Sequence, residues 1–192
     1  MQHVKIPQDR VGVLIGQGGE TMREIESAAE VRLDIDSENG AVAIESVGDP
    51  VRGLKGPDIV RAIGRGFAPD QALELLEEEL MMLDVVDIGA VARNSNDLER
   101  LKGRLIGEDG RTRELMEELS GASVVIYGST LGAIGRPREV EVVRTATEML
   151  LDGAPHGAVY SYLEEQHNEL KYRGMEYHHF PGSESGSESG SS

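Results

Sequence analysis

The 192-residue chain contains no cysteine and no tryptophan, and only seven of its residues are Tyr or Phe. Without cysteine there is no disulfide scaffold, no thiolate metal site and no thiol nucleophile. No apolar run approaches the roughly 18–20 residues a membrane span needs, and no apolar stretch near Met1 resembles a signal peptide. Positive charge is also scarce: 19 Lys and Arg, only 4 of them Lys, stand against 35 carboxylates, for a net charge of −16. What remains is a soluble, cytoplasmic protein. A hydrophobic content of 39% suffices for a core, and the length allows one or two domains.

The acid is spread along the chain and lysine is scarce. This suits a halophilic protein, whose carboxylates keep its surface hydrated while salt screens their repulsion, better than the alternative, an ordinary acidic protein that avoids polyanions. Acidity of that kind does not exclude a nucleic-acid partner. Residues 1–92 carry a net −10, residues 93–144 a net zero and residues 145–192 a net −6. A polyanion meets least repulsion at the neutral island.

An internal repeat at an offset of 91 residues organises the chain. Gly12-Val13-Leu14-Ile15-Gly16-Gln17-Gly18-Gly19-Glu20-Thr21 aligns with Gly103-Arg104-Leu105-Ile106-Gly107-Glu108-Asp109-Gly110-Arg111-Thr112. Each copy reads as strand, short helix, glycine loop, amphipathic helix, two strands, closing helix. Met22, Ile25 and Ala29, like Leu115, Met116 and Leu119, place apolar groups on one face of the helix after the loop. Val31 to Ile35 alternates cleanly, whereas Val124 to Tyr127 is a continuous run of a buried strand. Closing helices are expected over 56–65 and 70–80 in the first copy, from Pro137 to about Leu151 in the second, with a further helix over 158–170. The expected division is a first domain at 1–80, a second at 81–154, a helical extension at 155–180 and a disordered acidic Ser/Gly tail at 181–192.

A Gly-x-x-Gly turn between two helices has a definite use. Glycine permits left-handed backbone and close approach of a phosphate, and the following helix offers free N–H groups and a positive dipole end. Such a loop can also be a mere tight turn, but two copies in matching Leu-Ile-Gly-x-x-Gly-x-Thr contexts favour a phosphate-facing role.

These residues resemble tandem KH domains of eukaryotic-type (type I) topology, an α+β fold in which each three-stranded sheet is packed by helices. Gly103 to Arg113, Glu117-Glu118-Leu119-Ser120-Gly121-Ala122, Gly132-Ala133-Ile134-Gly135 and Gly153-Ala154-Pro155-His156-Gly157 extend the resemblance to archaeal two-KH small-subunit ribosome assembly factors, relatives of the partner of the Nob endonuclease. The resemblance covers about residues 2–165. It implies a non-enzymatic protein that binds single-stranded ribosomal RNA at the small-subunit 3′ region, assists the Nob-type endonuclease and contacts the alpha subunit of initiation factor two. An RNA-decay or translation adaptor built from similar modules is the alternative. A nucleotide-using enzyme is less well supported, because neither loop continues as Gly-x-x-x-x-Gly-Lys-Ser/Thr or forms Gly-x-Gly-x-x-Gly.

The expected RNA-binding set is Gly16, Gln17, Gly18, Gly19 and Arg23 in the first copy, and Lys102, Arg104, Gly107, Glu108, Asp109, Gly110, Arg111 and Arg113 in the second. Leu14, Ile15, Leu33, Ile35, Leu105, Ile106, Val124 and Ile126 are the expected groove floor. The second loop departs from the family in carrying Glu108-Asp109. At ~6 Å in bulk water each carboxylate repels a phosphate by about 0.7 kcal/mol, most of which vanishes at the roughly 3 Å Debye length of 1 M salt. Arg104, Arg111 and Arg113 offer phosphate-matched forks around it. From the charge islands, the second copy is expected to grip RNA and the first to dock or assist. The histidines lack metal-ligand spacing with carboxylates on one helix face; His178-His179 beside the acidic tail could hold a transition metal only weakly, and neither a metal nor a cofactor is expected.

Overall fold

The computed structural model describes residues 1–177, with nine α-helices and six strands among them. The expected tail and the His178-His179 pair lie outside that range. In the first module, β1 (Gln2–Lys5), α1 (Gln8–Ile15), α2 (Glu20–Ala29), β2 (Val31–Asp36) and β3 (Ala41–Ser46) are followed by α3 (Pro50–Gly53), α4 (Gly56–Gly64) and α5 (Pro69–Leu73). The second contains β4 (Met82–Asp87), α6 (Ser95–Ile106), α7 (Arg111–Ser120), β5 (Ser123–Tyr127), β6 (Thr130–Gly135), α8 (Pro137–Leu151) and α9 (His156–Tyr177). Both sheets are antiparallel with the last strand central, in the orders β1-β3-β2 and β4-β6-β5. This is the two-module α+β architecture expected from the repeat.

Local chemistry sets the boundaries. Asn94 caps α6 by accepting the Asp97 N–H at 2.9 Å, and Pro137 sits in the first turn of α8. Gly121 ends α7 at φ 84°, while Glu30 ends α2 in the same left-handed region at φ 54°. Gly40 turns β2 into β3 where a Cβ would strike the Ile6 carbonyl oxygen. Two helices differ from expectation. The helix anticipated over 70–80 stops at Leu73 and continues as a 3₁₀ turn to Leu76. Lys55 donates to the carbonyls of Glu79 and Met81, which ties down the turn that leads into β4. The C-terminal helix, in turn, starts two residues earlier than anticipated and runs to Tyr177.

Each module has its own core. The first gathers Leu14, Ile25, Val42, Ile44, Ile59 and Ile63; the second gathers Leu101, Leu105, Met116, Val143 and Leu150. Val159 and Leu163 of α9 are fully buried in the second core, so the helical extension is part of that module's packing.

The outer faces of the two sheets differ. In the first, Arg32, Asp34 and Asp36 face solvent. In the second, Val125, Leu83 and Ile134 pack against the first module's core, and the fully buried Phe67 ring lies where a Cβ on Gly132 would come within 2.8 Å of it. That covered face is why Val124 to Tyr127 is apolar on both sides while Val31 to Asp36 alternates. Polar contacts rim the junction: Ser123 Oγ donates to Glu74 at 2.9 Å, Arg136 forks Glu78, Tyr127 Oη donates to Asp9, and the Arg10 guanidinium lies 5.3 Å from the Tyr127 ring centroid.

Candidate nucleic-acid interface

The two glycine loops have almost the same backbone. Gly16 and Gly107 take φ/ψ of 72°/176° and 77°/173°, and Gly19 and Gly110 take 78°/16° and 76°/10°. A Cβ on the first glycine of either loop would lie 2.8 Å from the backbone N of Thr21 or Thr112, which explains the Gly-x-x-Gly-x-Thr spacing. The second glycines are different: Gly110 has nothing within 4 Å, and Gly19 only the Arg23 guanidinium, so it is conformation rather than space that selects glycine there. Between them Gly18 and Asp109 also occupy left-handed backbone, at φ 60° and 54°. Gln17, Gly18, Glu108 and Asp109 are exposed. Both bends are thus open at their tips, each leading into a helix N-terminus.

The structure divides the expected groove floor. Leu14 and Leu105 are wholly buried, and Leu33 and Val124 nearly so, so these side chains belong to the cores. Ile15, Ile35, Ile106 and Ile126 are half-buried and can present apolar surface to a base. β2 and β5 are edge strands, and at each a carboxylate of the preceding helix takes an outward backbone donor: Glu26 accepts from Leu33 N–H at 2.8 Å and Glu117 from Val124 N–H at 2.9 Å. This repeated device escaped the sequence reading, although Glu26 and Glu117 stand 91 residues apart like the loops.

Three expected cations are engaged elsewhere. Arg104 was expected beside the phosphate path. Its fork instead donates to the carbonyls of Leu150, at 3.2 Å, and Ala154, capping the end of α8. Arg10 does the same in the first module, donating at 2.8 Å to Ile63 in the last turn of α4 and to Phe67 just beyond it. The two arginines are not at equivalent repeat positions, so the alignment conceals their common role. Arg113 pairs with Glu117 at 2.8 Å and reaches Val124 O at 3.4 Å; Lys102 lies 3.8 Å from Glu99. Arg23 does sit on its loop, donating to Gly18 O, but its counterpart in the second copy is Glu114. Of the nine cations of 93–144, seven pair with a carboxylate and Arg104 is held by backbone carbonyls; among the described residues, Arg111 is the one with neither kind of partner.

The second loop is braced from behind. Thr112, fully buried under it, shares a 2.8 Å hydrogen bond with the Tyr160 hydroxyl, and His156 Nε2 donates to Arg104 O at 3.0 Å. The Gly-Ala-Pro-His-Gly segment therefore clamps the helix that feeds the loop. Titration is perturbed at the module junction: burial pushes the Glu74 carboxyl up, partly offset by the Ser123 hydrogen bond, and Arg136 holds Glu78 down. Among the described residues no group of three or more His, Asp or Glu side chains gathers to hold a metal, and no helix is long and apolar enough to cross a membrane.

Comparison with known proteins follows the same division. Residues 1–77 match the KH domain model, and residues 82–168 match the Eukaryotic type KH-domain (KH-domain type I). A KH domain-containing protein of Methanocaldococcus jannaschii is 44% identical over 171 residues, covering 88% of this chain and 74% of that protein. The pre-rRNA-processing protein pno1 of Aspergillus fumigatus is 33% identical over 122 residues; the match takes in 62% of this chain and about half, 48%, of that relative. A chain of the a/eIF2alpha-aDim2p-rRNA complex from Pyrococcus horikoshii superposes with a TM-score of 0.82 at 45% identity, over 88% of this chain and 94% of that one.

Proposed function

The chain belongs to the family of KH-domain proteins that includes archaeal Dim2p and the pre-rRNA-processing protein pno1, and from that premise we propose that it holds single-stranded RNA of the small-subunit 3′ region during ribosome assembly. The observation that carries the reading is the pair of exposed glycine loops with matching left-handed backbone, each opening a helix N-terminus beside a half-buried apolar groove. The sugar-phosphate strand lies on the loops while bases turn toward Ile15 and Ile35, or Ile106 and Ile126. The alpha subunit of initiation factor two, present with rRNA and aDim2p in the Pyrococcus complex, is a proposed partner, as is a Nob-type endonuclease. Cleavage is left to that partner, and no residue of this chain is assigned a catalytic role.

Charge at the loops now favours the first module in dilute buffer, the reverse of the preference drawn from the charge islands. The first loop has Arg23 offset by Glu20 and a neutral Gln17-Gly18 tip; the second has Glu108, Asp109 and Glu114 around Arg111. High salt narrows the difference.

Crosslinking in native cells, followed by sequencing of the bound RNA, tests the proposal. Enrichment at the 3′ region of small-subunit rRNA is expected; enrichment across messenger RNA without it supports the adaptor alternative. In the full chain, exchanging the loop tips by Gly18→Asp and Asp109→Gly is expected to weaken and tighten RNA binding, respectively, at 0.1 M salt.

A further inference from the structure

We propose that the groove between the free edge of β1 and the C-terminal half of α4 is a second phosphate-backbone site, which carries the RNA path of the first module beyond its glycine loop. The inference rests on the RNA-binding reading above. The groove encloses about 480 Å³ and is lined by His3, Lys5, Ile6, Pro7, Arg61 and Arg65, among others. It lies in a strongly acidic part of the chain, where residues 1–92 hold 8 basic and 18 acidic side chains.

What those eight cations do isolates this place. Arg10, Arg52 and Lys55 donate to backbone carbonyls of the fold, and Arg23 to Gly18 O on the loop. Arg32 stands 3.9 Å from Glu45, and Arg61 is bonded to Asp58 at 2.5 Å. Lys5 and Arg65 remain, exposed and with no carboxylate partner among the described residues, and both line the same groove. Two free positive charges at one spot on so acidic a surface run against its general trend.

The backbone adds donors. Ile6 N–H bonds Gly40 O at 2.9 Å, so by strand alternation Val4 also turns toward β3 and the N–H groups of His3 and Lys5 face the open edge. Backbone N–H, a lysine ammonium and arginine forks are the groups that hold phosphate oxygens. Lys5 on the edge also disfavours addition of a peptide strand, which selects a phosphodiester chain over an acidic peptide. The groove stays narrow because Gly64 lets α4 close on β1, where a Cβ would lie 2.5 Å from Ile6 Cγ2. Pro7 ends the groove, and the eight residues of α1 then span ~12 Å to Gly16, so one strand can reach both sites.

The test uses the full chain, an RNA of about 20 nucleotides from the small-subunit 3′ region and a six-nucleotide RNA, with anisotropy titrations from 0.05 to 1 M KCl. Each phosphate contact on single-stranded RNA contributes about 0.7 to the slope of log affinity against log salt. Lys5→Gln/Arg65→Gln should lower that slope by about 1.4 for the long RNA, a loss of roughly 25-fold at 0.1 M that closes toward 1 M. The short RNA should bind as before, and Arg32→Gln, outside the groove, should leave the slope unchanged. If wild type binds the long RNA and the double variant keeps its slope, the site is refuted, and retention of an acidic protein by wild type alone would reassign the groove to that partner. An equal loss per charge in Arg32→Gln also refutes it, as a general field effect. Failure of wild type to bind either RNA overturns the function proposed above together with this inference.

Discussion

Replacing Arg104 with Met separates a folding role from an RNA-binding one. The methionine retains the aliphatic packing of the stem but removes the guanidinium that bonds the Leu150 carbonyl in the last turn of α8 and the Ala154 carbonyl past its end. A hydrogen bond from a charged donor contributes roughly 1.5–3 kcal/mol, and a cation at a helix C-terminus roughly 0.3–1 kcal/mol. Arg104 is only half-buried, so water replaces part of what is lost, and a net cost of about 2–3 kcal/mol is expected. In a chain of this size, 1 kcal/mol lowers Tm by roughly 2–4 °C, so the drop should be about 5–10 °C. Arg111→Gln is the control, since Arg111 is exposed and flanks the loop. It should change stability by less than ~0.5 kcal/mol and weaken RNA about fivefold at 0.1 M salt. Urea melts and anisotropy titrations on both variants read the two effects separately. If Arg104→Met melts like wild type but loses tenfold or more in RNA affinity, the guanidinium faces RNA in solution and the capping assignment is wrong.

Three further outcomes follow from other positions. Gly110→Ala should cost about 1–2 kcal/mol for left-handed backbone alone, whereas Gly107→Ala should cost about 1–3 kcal/mol more because its Cβ would meet Thr112; equal costs in urea melts would contradict that distinction. Phe67→Ala should destabilise by about 3–5 kcal/mol and uncouple the modules, seen in calorimetry as two transitions where wild type shows one. Glu74→Gln tests linkage at the junction. A carboxyl whose folded pKa is raised gives stability that is present at low pH and is lost as pH climbs from the unfolded value through the folded one. The variant should therefore match wild type in acid and exceed it at neutral pH, and a stability difference independent of pH would show that burial does not perturb Glu74. Glu78 has the opposite sign, since Arg136 depresses its pKa and that support is lost as pH falls.

Much of the fold was legible because repetition and period are local properties. The offset of 91 residues, the glycine pairs and the alternation of Val31 to Ile35 could be read without coordinates, and they led to two KH modules. The candidate site was legible in its loops, where a steric requirement for glycine leaves its mark on the chain. It was far less legible in its charges. An arginine three positions from a glycine loop looks like a phosphate ligand, yet Arg104 turns to a carbonyl 46 residues away, and Arg113 to Glu117 one helical turn on.

By itself the sequence determined the modules, their order and the left-handed bends, since these depend on backbone sterics and on which neighbours share a helical or strand face. Only the tertiary structure decided which cations stay free, which apolar side chains reach solvent, and that the second sheet is covered while the first is open. Those outcomes are set by partners distant along the chain. A charge is spent or available, and a leucine is core or groove, only once packing has chosen what lies against it.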